Sequence, residues 1–270
     1  PLIAWGRGSL DSLGRQLVGP VIVGLVALSL LVASGMRDPY PLLAFTLGAF
    51  VMTSIVQELA KGVGARRRMY GEGSLMALTR LVGFHRRRYG GYIVHVGVVL
   101  LFAAFAGLAF RREYDVTLKA GESVSVADPF GRRWTFTSDG VYADRVLNRF
   151  ATGVSLRARP DGGAPRLITS EKRQHFDTRG LPSFEPSTEA GVLVRVRQDV
   201  YVVLGRVGSD AGETTQLRII FNPLAVWLWV GGLVMALGGA IVMWPRAEPR
   251  RAAGPGGTPL RHAHATPSEG

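Results

Sequence analysis

Four apolar runs, each long enough to cross a lipid bilayer, constrain what this 270-residue chain can fold into more than any other feature. They occupy 17–35 (LVGPVIVGLVALSLLVASG), 41–60 (PLLAFTLGAFVMTSIVQELA), 92–110 (YIVHVGVVLLFAAFAGLAF) and 224–244 (LAVWLWVGGLVMALGGAIVMW). A spanning helix needs roughly 20 apolar residues, and lipid accepts a backbone only as helix or closed barrel. The second run is the weakest, because Gln57 and Glu58 fall in its last turn. A buried core helix would explain one such run, but four of them with internal glycines read as membrane spans. The first is not read as a secretory signal, since it lacks a convincing cleavage site and a second run follows at once.

Composition agrees. Hydrophobic residues make up 47% of the chain, yet the formal net charge is +12, so apolar and basic residues are segregated along the sequence. That excludes a soluble globular enzyme, an ordinary nucleic-acid binder and a disordered chain. The absence of cysteine excludes disulfides, thiolate metal sites, a cysteine nucleophile and a CxxCH haem attachment, without fixing the compartment.

The basic residues set the expected orientation. Segment 61–88 holds Lys61, Arg66, Arg67, Arg68, Arg80, Arg86, Arg87 and Arg88, whereas the link between the first two runs holds only Arg37. Short loops rich in Lys and Arg stay in the cytoplasm. Segment 61–88 is therefore expected as a basic cytoplasmic loop, with both termini cytoplasmic and residues 111–221 outside. Nucleic acid is not an expected partner, because the charge flanks the spans. Membrane lipid is.

Between the third and fourth runs the period changes from helical to alternating. YDVTL, ESVSV, RWTFT, GVSLRA, VLVRVR, DVYVVL and QLRII, separated by turn signals such as DPFG and PDGG, predict seven to nine short strands. No helix longer than about three turns is expected there, with 142–150 the one exception considered. The expected fold class is an integral membrane α-helical bundle of four transmembrane helices with a small all-β extracytoplasmic domain inserted at 111–221. The fourth helix falls within 222–245, and a disordered cytoplasmic tail follows at 246–270.

One ionisable side chain lies well inside a span. His95, in GGYIVHVG, shares a helical face with Gly91, Tyr92, Val98, Val99 and Phe102, and it is expected to face the bundle. Intramembrane ionisable residues are candidates for function, and Gly91 one turn away leaves room for a flat ligand. A neutral imidazole in an apolar bundle suits haem iron. It equally suits a structural hydrogen bond to a neighbouring helix or a place at headgroup level. His85 lies in a basic run, His175 on a polar loop or strand edge, and His262 and His264 in the tail. Glu58 is expected to meet Lys61 or Arg66. The pairs Gly231–Gly232 and Gly238–Gly239 suit close helix packing.

The stretches RYGGYIVHVGVVLLF, EYDVTLKAGESV, DPFGRRWTFTSDGV, QHFDTRG with LPSFEPSTEAGV, DVYVVLG and RIIFNPLAVWLWVGGLVMALGGAIVMWP resemble, in order, the C-terminal part of the CcmF family, the haem lyase component of bacterial cytochrome c maturation. PLIAWGRGSL and QELAKGVGARRR fit the same family. Its tryptophan-rich external haem-handling segment and two external histidines have no counterpart here. The resemblance implies the C-terminal half of a longer protein or a split-gene product in the bacterial inner membrane, inactive by itself. It implies that His95 is one axial ligand of a resident haem b, with Gly91 and Tyr92 as pocket neighbours and the second ligand on the upstream part of the same lyase. That haem would relay electrons to haem delivered by the chaperone CcmE, which is then joined to apocytochrome c presented with a CcmH-type subunit. Two alternatives are a non-catalytic scaffold of the assembly complex and the paralogue dedicated to nitrite reductase cytochrome.

Overall fold

The computed structural model describes residues 10–146, 148–183, 185–208 and 214–245. Trp5, Arg7, His262, His264 and the tail expected to be disordered lie outside the described residues. Each apolar run forms a helix: α1 (Leu10–Ala33), α2 (Pro39–Tyr70), then, after a short α3 (Ser74–Phe84), α4 (Arg86–Gly107), and finally α5 (Val226–Met243). Helices α1, α2, α4 and α5 are long and apolar enough to cross a membrane. The start of α2 is fixed by Asp38, whose side chain accepts the Tyr40 N–H at 3.0 Å, with Pro39 in the first turn where its missing N–H is harmless.

The spanning helices stand mainly in a row, α1 against α2, α2 against α4 and α4 against α5. Both sides of that row remain apolar and uncovered, as Leu25, Leu47, Phe102, Phe105, Trp229 and Leu237 show. The tightest contact is α4 on α5. A Cβ added to Gly97 would lie 2.6 Å from the Gly231 carbonyl oxygen and 2.6 Å from the Met235 nitrogen. One added to Gly238 would lie 2.7 Å from the Val94 nitrogen, and Gly90 meets the Gly238 carbonyl in the same way. Only glycine permits such backbone approach, and dispersion plus weak Cα–H contacts hold the pair in a solvent that offers no hydrophobic drive. Gly232 and Gly239, the other members of the two pairs, meet nothing within 4 Å.

Segment 61–88 departs from the expected loop, being almost entirely helical. Helix α2 runs on to Tyr70, Gly71 closes it in a left-handed conformation, and α3 returns. Hydropathy ends a span at the first charges, but Lys and Arg are good helix formers, so the helix outlasts the apolar run. Glu72 in the turn accepts from Arg66 Nε at 3.0 Å and from Arg80 Nη1 at 2.5 Å, which joins α2 to α3. The Arg66 guanidinium holds the Glu72 carboxyl below the usual carboxylate range, with Arg80 adding to the effect. Ile55, Leu81, Tyr89 and Tyr92 form a small core where α2, α3 and α4 meet.

The all-β expectation for 111–221 holds, with two antiparallel sheets packed face to face. In chain order the strands are β1 (Arg112–Leu118), β2 (Ser123–Ala127), β3 (Arg133–Val146), β4 (Arg149–Pro160), β5 (Arg166–His175), β6 (Ser187–Glu189), β7 (Gly191–Leu193), β8 (Gln198–Val207) and β9 (Thr215–Pro223). One sheet has the order β1-β9-β8-β7 and the other β2-β3-β4-β5-β6. Alternate residues of β8 (Val200, Val202, Leu204) and of β9 (Leu217, Ile219, Phe221) meet Trp134, Phe136, Val154 and Leu156 of the facing sheet. Residues 142–150, the one stretch where a helix was considered, belong to the long β3–β4 hairpin. Within VLVRVR only Val192 and Leu193 pair, and β5, rich in polar residues, lies between β4 and β6 without an alternation that reveals it.

Asp199, buried at the start of β8, accepts the Arg195 N–H at 2.9 Å. Burial pushes its carboxyl pKa up, and the bond from Arg195 only partly opposes this. Between the unfolded and folded pKa values the native state holds more protons, so stability falls as pH rises through that window. Asp199→Asn keeps an acceptor for Arg195 and removes the ionisation. The variant is expected to melt above the parent chain at pH 7, with the gap closing at about pH 3, below the ordinary carboxylate pKa. Thermal melts by circular dichroism at both pH values check this, and a gap that is equal at the two would contradict it.

Candidate functional site

The candidate site lies on α4. Seven residues separate His95 from Arg88, which places the imidazole about 10 Å along the helix axis from the basic end. At that end Glu58 of α2 accepts from Arg88 Nη2 at 2.5 Å and from Lys61 Nζ at 3.3 Å, while Arg88 Nε donates to the Tyr92 hydroxyl at 3.0 Å. Glu58 thus meets Lys61 as expected but takes Arg88 as its second cation, because Arg66 is committed to Glu72. The result is a polar layer that neutralises the half-buried Glu58 carboxylate and ties α2 to α4.

His95 itself is exposed, on a part of α4 that no other helix among the described residues covers. The bundle-facing side expected for it is open in this structure, with α1, α2 and α5 lying elsewhere around the row. The reason is the row arrangement: α2 and α5 occupy two flanks of α4, and the imidazole projects between them. The expected face also divides. Gly91, His95 and Phe102 lie along the open strip, with nothing within 4 Å of a Cβ at Gly91. Tyr92 is buried in the core against Ile55 and Leu81, and Val99 turns to Gly48 of α2. Tyr92 therefore positions Arg88 rather than His95.

The imidazole has a defined orientation. His95 Nδ1–H donates to the Gly91 carbonyl oxygen at 2.8 Å. A carbonyl can only accept, so the proton sits on Nδ1 and the lone pair on Nε2 is free. A backbone carbonyl that fixes the tautomer and raises ligand basicity is the usual support of a metal-bound histidine. The strip can therefore offer one nitrogen ligand to a metal centred outside this chain's own contour, with a flat group passing over Gly91. It cannot complete a site alone, since the described residues contain no group of three or more His, Asp or Glu able to hold a metal. His85, which immediately precedes α4 and lies edge-on to the Tyr89 ring with centroids 6.3 Å apart, and His175, which ends β5 in the sandwich, are both exposed.

Two elements escaped the sequence reading. Gly90 and Gly97, spaced seven apart like Gly231 and Gly238, are the α4 half of the helix contact, and that matching spacing was the available signal. Asp128, read only as part of a DPFG turn, is buried and accepts from the N–H groups of Phe130 and Arg132, the Trp134 indole and the Gln198 amide. Phe130, Arg132 and Trp134 follow within six residues, but Gln198 comes from β8 of the facing sheet, and no local pattern announces that partner.

Residues 109–223 match the family described as CcmF C-terminal beta-sandwich. The chain is 28% identical over 255 residues to the cytochrome c-type biogenesis protein CcmF of Haemophilus influenzae, covering 91% of this chain and 35% of that protein. It is also 28% identical over 249 residues to the cytochrome c-type biogenesis protein CycK of Bradyrhizobium diazoefficiens, with the same two coverages. A solved structure, "Cytochrome c Heme Lyase CcmF", superposes with a TM-score of 0.64 at 25% identity, covering 90% of this chain and 37% of that one. The chain spans about one third of the length of these relatives.

Proposed function

Because this chain matches the C-terminal part of the CcmF biogenesis proteins across nine-tenths of its length, we propose that it is the C-terminal portion of a cytochrome c-type biogenesis haem lyase and supplies one axial ligand of a b-type haem within the membrane. The observation that carries the reading is His95: an intramembrane imidazole on an uncovered helix face, its Nδ1–H given to Gly91 and its Nε2 free. Nε2 would bind the iron, Gly91, which has no side chain, would leave room for the flat group, and Phe102 would give it apolar contact. The second ligand and the opposite wall come from the part of the lyase that precedes this region in the longer relatives. When bound, haem supplies a one-electron relay. The chain's own residues hold the ring nitrogen in one tautomer and keep water from the site with the apolar strip.

In this reading segment 61–88 lies in the cytoplasm and the β-sandwich in the periplasm, where it meets the haem chaperone CcmE, a CcmH-type subunit and apocytochrome c. A compartment reporter fused after Gly208 is expected to be active only outside the cytoplasm, and cytoplasmic activity would reverse the topology. The reduced absorption spectrum of the chain purified together with the upstream part tests the ligand assignment. A low-spin b-type signal is expected, and an assembled complex without haem would end the proposal.

A further inference from the structure

The helix-proximal end of the sandwich carries a feature unrelated to His95. Strand β8 begins at Gln198, opposite Pro223 at the end of β9, so residues 194–197 lie where the sandwich meets α5. They are fastened there. Leu224 N–H donates to the Arg197 carbonyl at 3.0 Å, and the indole of Trp227, in the first turn of α5, donates to the Val196 carbonyl at 2.9 Å. The turn at Asp128–Arg132 lies at the same end, held by Arg112 Nη1, which donates to the Asp128 carbonyl at 3.2 Å. Helix α5 has 18 residues and is therefore about 27 Å long, close to the hydrocarbon thickness of a bilayer. Both segments thus stand at the level of lipid headgroups.

Between them is a groove of about 310 Å³ lined by Asp128, Phe130, Arg132, Trp134, Arg195 and Arg197, among others. The Arg197 guanidinium lies over the Phe130 ring at 4.5 Å from its centroid, and Arg195 over Trp134 at 5.2 Å. Among the described residues neither guanidinium has an ion pair or a side-chain hydrogen bond. The carboxylate of Asp128 is occupied by its four N–H donors, and that of Asp199 by the Arg195 backbone. Beside the groove, Phe130 is 49% exposed, Val194 64% and Val196 67%. Guanidiniums without carboxylate partners, stacked on aromatic rings and flanked by exposed apolar side chains at headgroup depth, complement a lipid phosphate with its acyl chains alongside.

We propose that this groove seats the phosphate of a phospholipid from the leaflet on the sandwich's side, with Arg195 and Arg197 on its oxygens and Phe130, Val194 and Val196 in the upper acyl region. The proposal rests on the four helices crossing a membrane and not on haem. It is tested with the purified full chain in detergent by native mass spectrometry, adding phosphatidylglycerol or phosphatidylcholine. The parent chain is expected to retain one phospholipid that Arg195→Gln/Arg197→Gln retains about tenfold less well. Arg159→Gln/Arg166→Gln, an equal charge change elsewhere on the sandwich, is expected to match the parent. Inorganic phosphate at 10 mM, on the order of a hundredfold excess over protein, is expected not to displace the lipid, because it lacks the acyl chains. Equal retention by the two double variants would overturn the proposal, as would displacement by phosphate alone. Lipid retention by the chain alone that vanishes once the upstream part is bound would assign the groove to that protein contact instead, and would also overturn it.

Discussion

His95→Ala, in the chain assembled with its upstream part, is expected to lose the b-type haem proposed above. Haem content per protein and the reduced α-band are both expected to fall about tenfold or more, since no hydrocarbon side chain replaces an iron–imidazole bond. The imidazole is exposed in this chain and donates only to Gly91, one turn before it on the same helix, so the substitution leaves every helix–helix contact described above in place. Recovery of haem on adding imidazole would separate lost ligation from lost folding. Gly91→Leu gives a second arm. Among the described residues nothing lies within 4 Å of a Cβ there, so the protein is expected to fold normally while a bulky side chain enters the space proposed for haem. Unchanged spectrum and content in both variants would make His95 a structural residue only.

Gly97→Leu has the opposite signature. A Cβ at Gly97 would sit 2.6 Å from backbone atoms of α5, so the helices must part along the contact from Gly90 to Leu101. Overpacking costs about 1–3 kcal/mol in cores that can relax, and here the obstructing atoms are backbone, so the upper end is expected. Gly232→Leu is the matched control: it places the same side chain in a neighbouring helix position with nothing within 4 Å. Its effect is expected to stay within about 0.5 kcal/mol. Thermal melts in detergent compare the two, and equal melting temperatures would refute a backbone-contact role for Gly97.

Much of this architecture is legible in the sequence because lipid and sheet impose strong periodicities. The four apolar runs mark α1, α2, α4 and α5, since a bilayer tolerates few charges over a full span. Runs rich in β-branched and aromatic residues, DVYVVL and QLRII, mark β8 and β9, which bury one face. Less is legible where the determining contact is remote. The end of α2 at Tyr70 and the return of α3 depend on Glu72 joining Arg66 to Arg80, which hydropathy does not measure. In β5 only Ile168 and Ser170 are buried, too little inward burial to leave a pattern. VLVRVR alternates well, yet Val194 and Val196 leave the sheet for the helix end, where Trp227 captures the backbone. His95 stands out as a residue type, but the direction it faces follows from how α2 and α5 flank α4. No local rule encodes that, and Tyr92, one turn away, points into a different environment.

The glycine contact also sets a timetable. Gly97 and Gly231 touch through their backbones, yet the whole sandwich is synthesised between them. At roughly 5–20 residues per second, α5 emerges on the order of ten seconds after α4. During that interval α4 sits in the bilayer with its glycine stripe bare. A sheet that brings β1 and β9 side by side then acts as a clasp, because those two strands continue directly from α4 and into α5. Closure of the sandwich becomes the step that delivers α5 to its partner, and a sandwich slow to close leaves the helix pair open to other small-residue helices in the membrane.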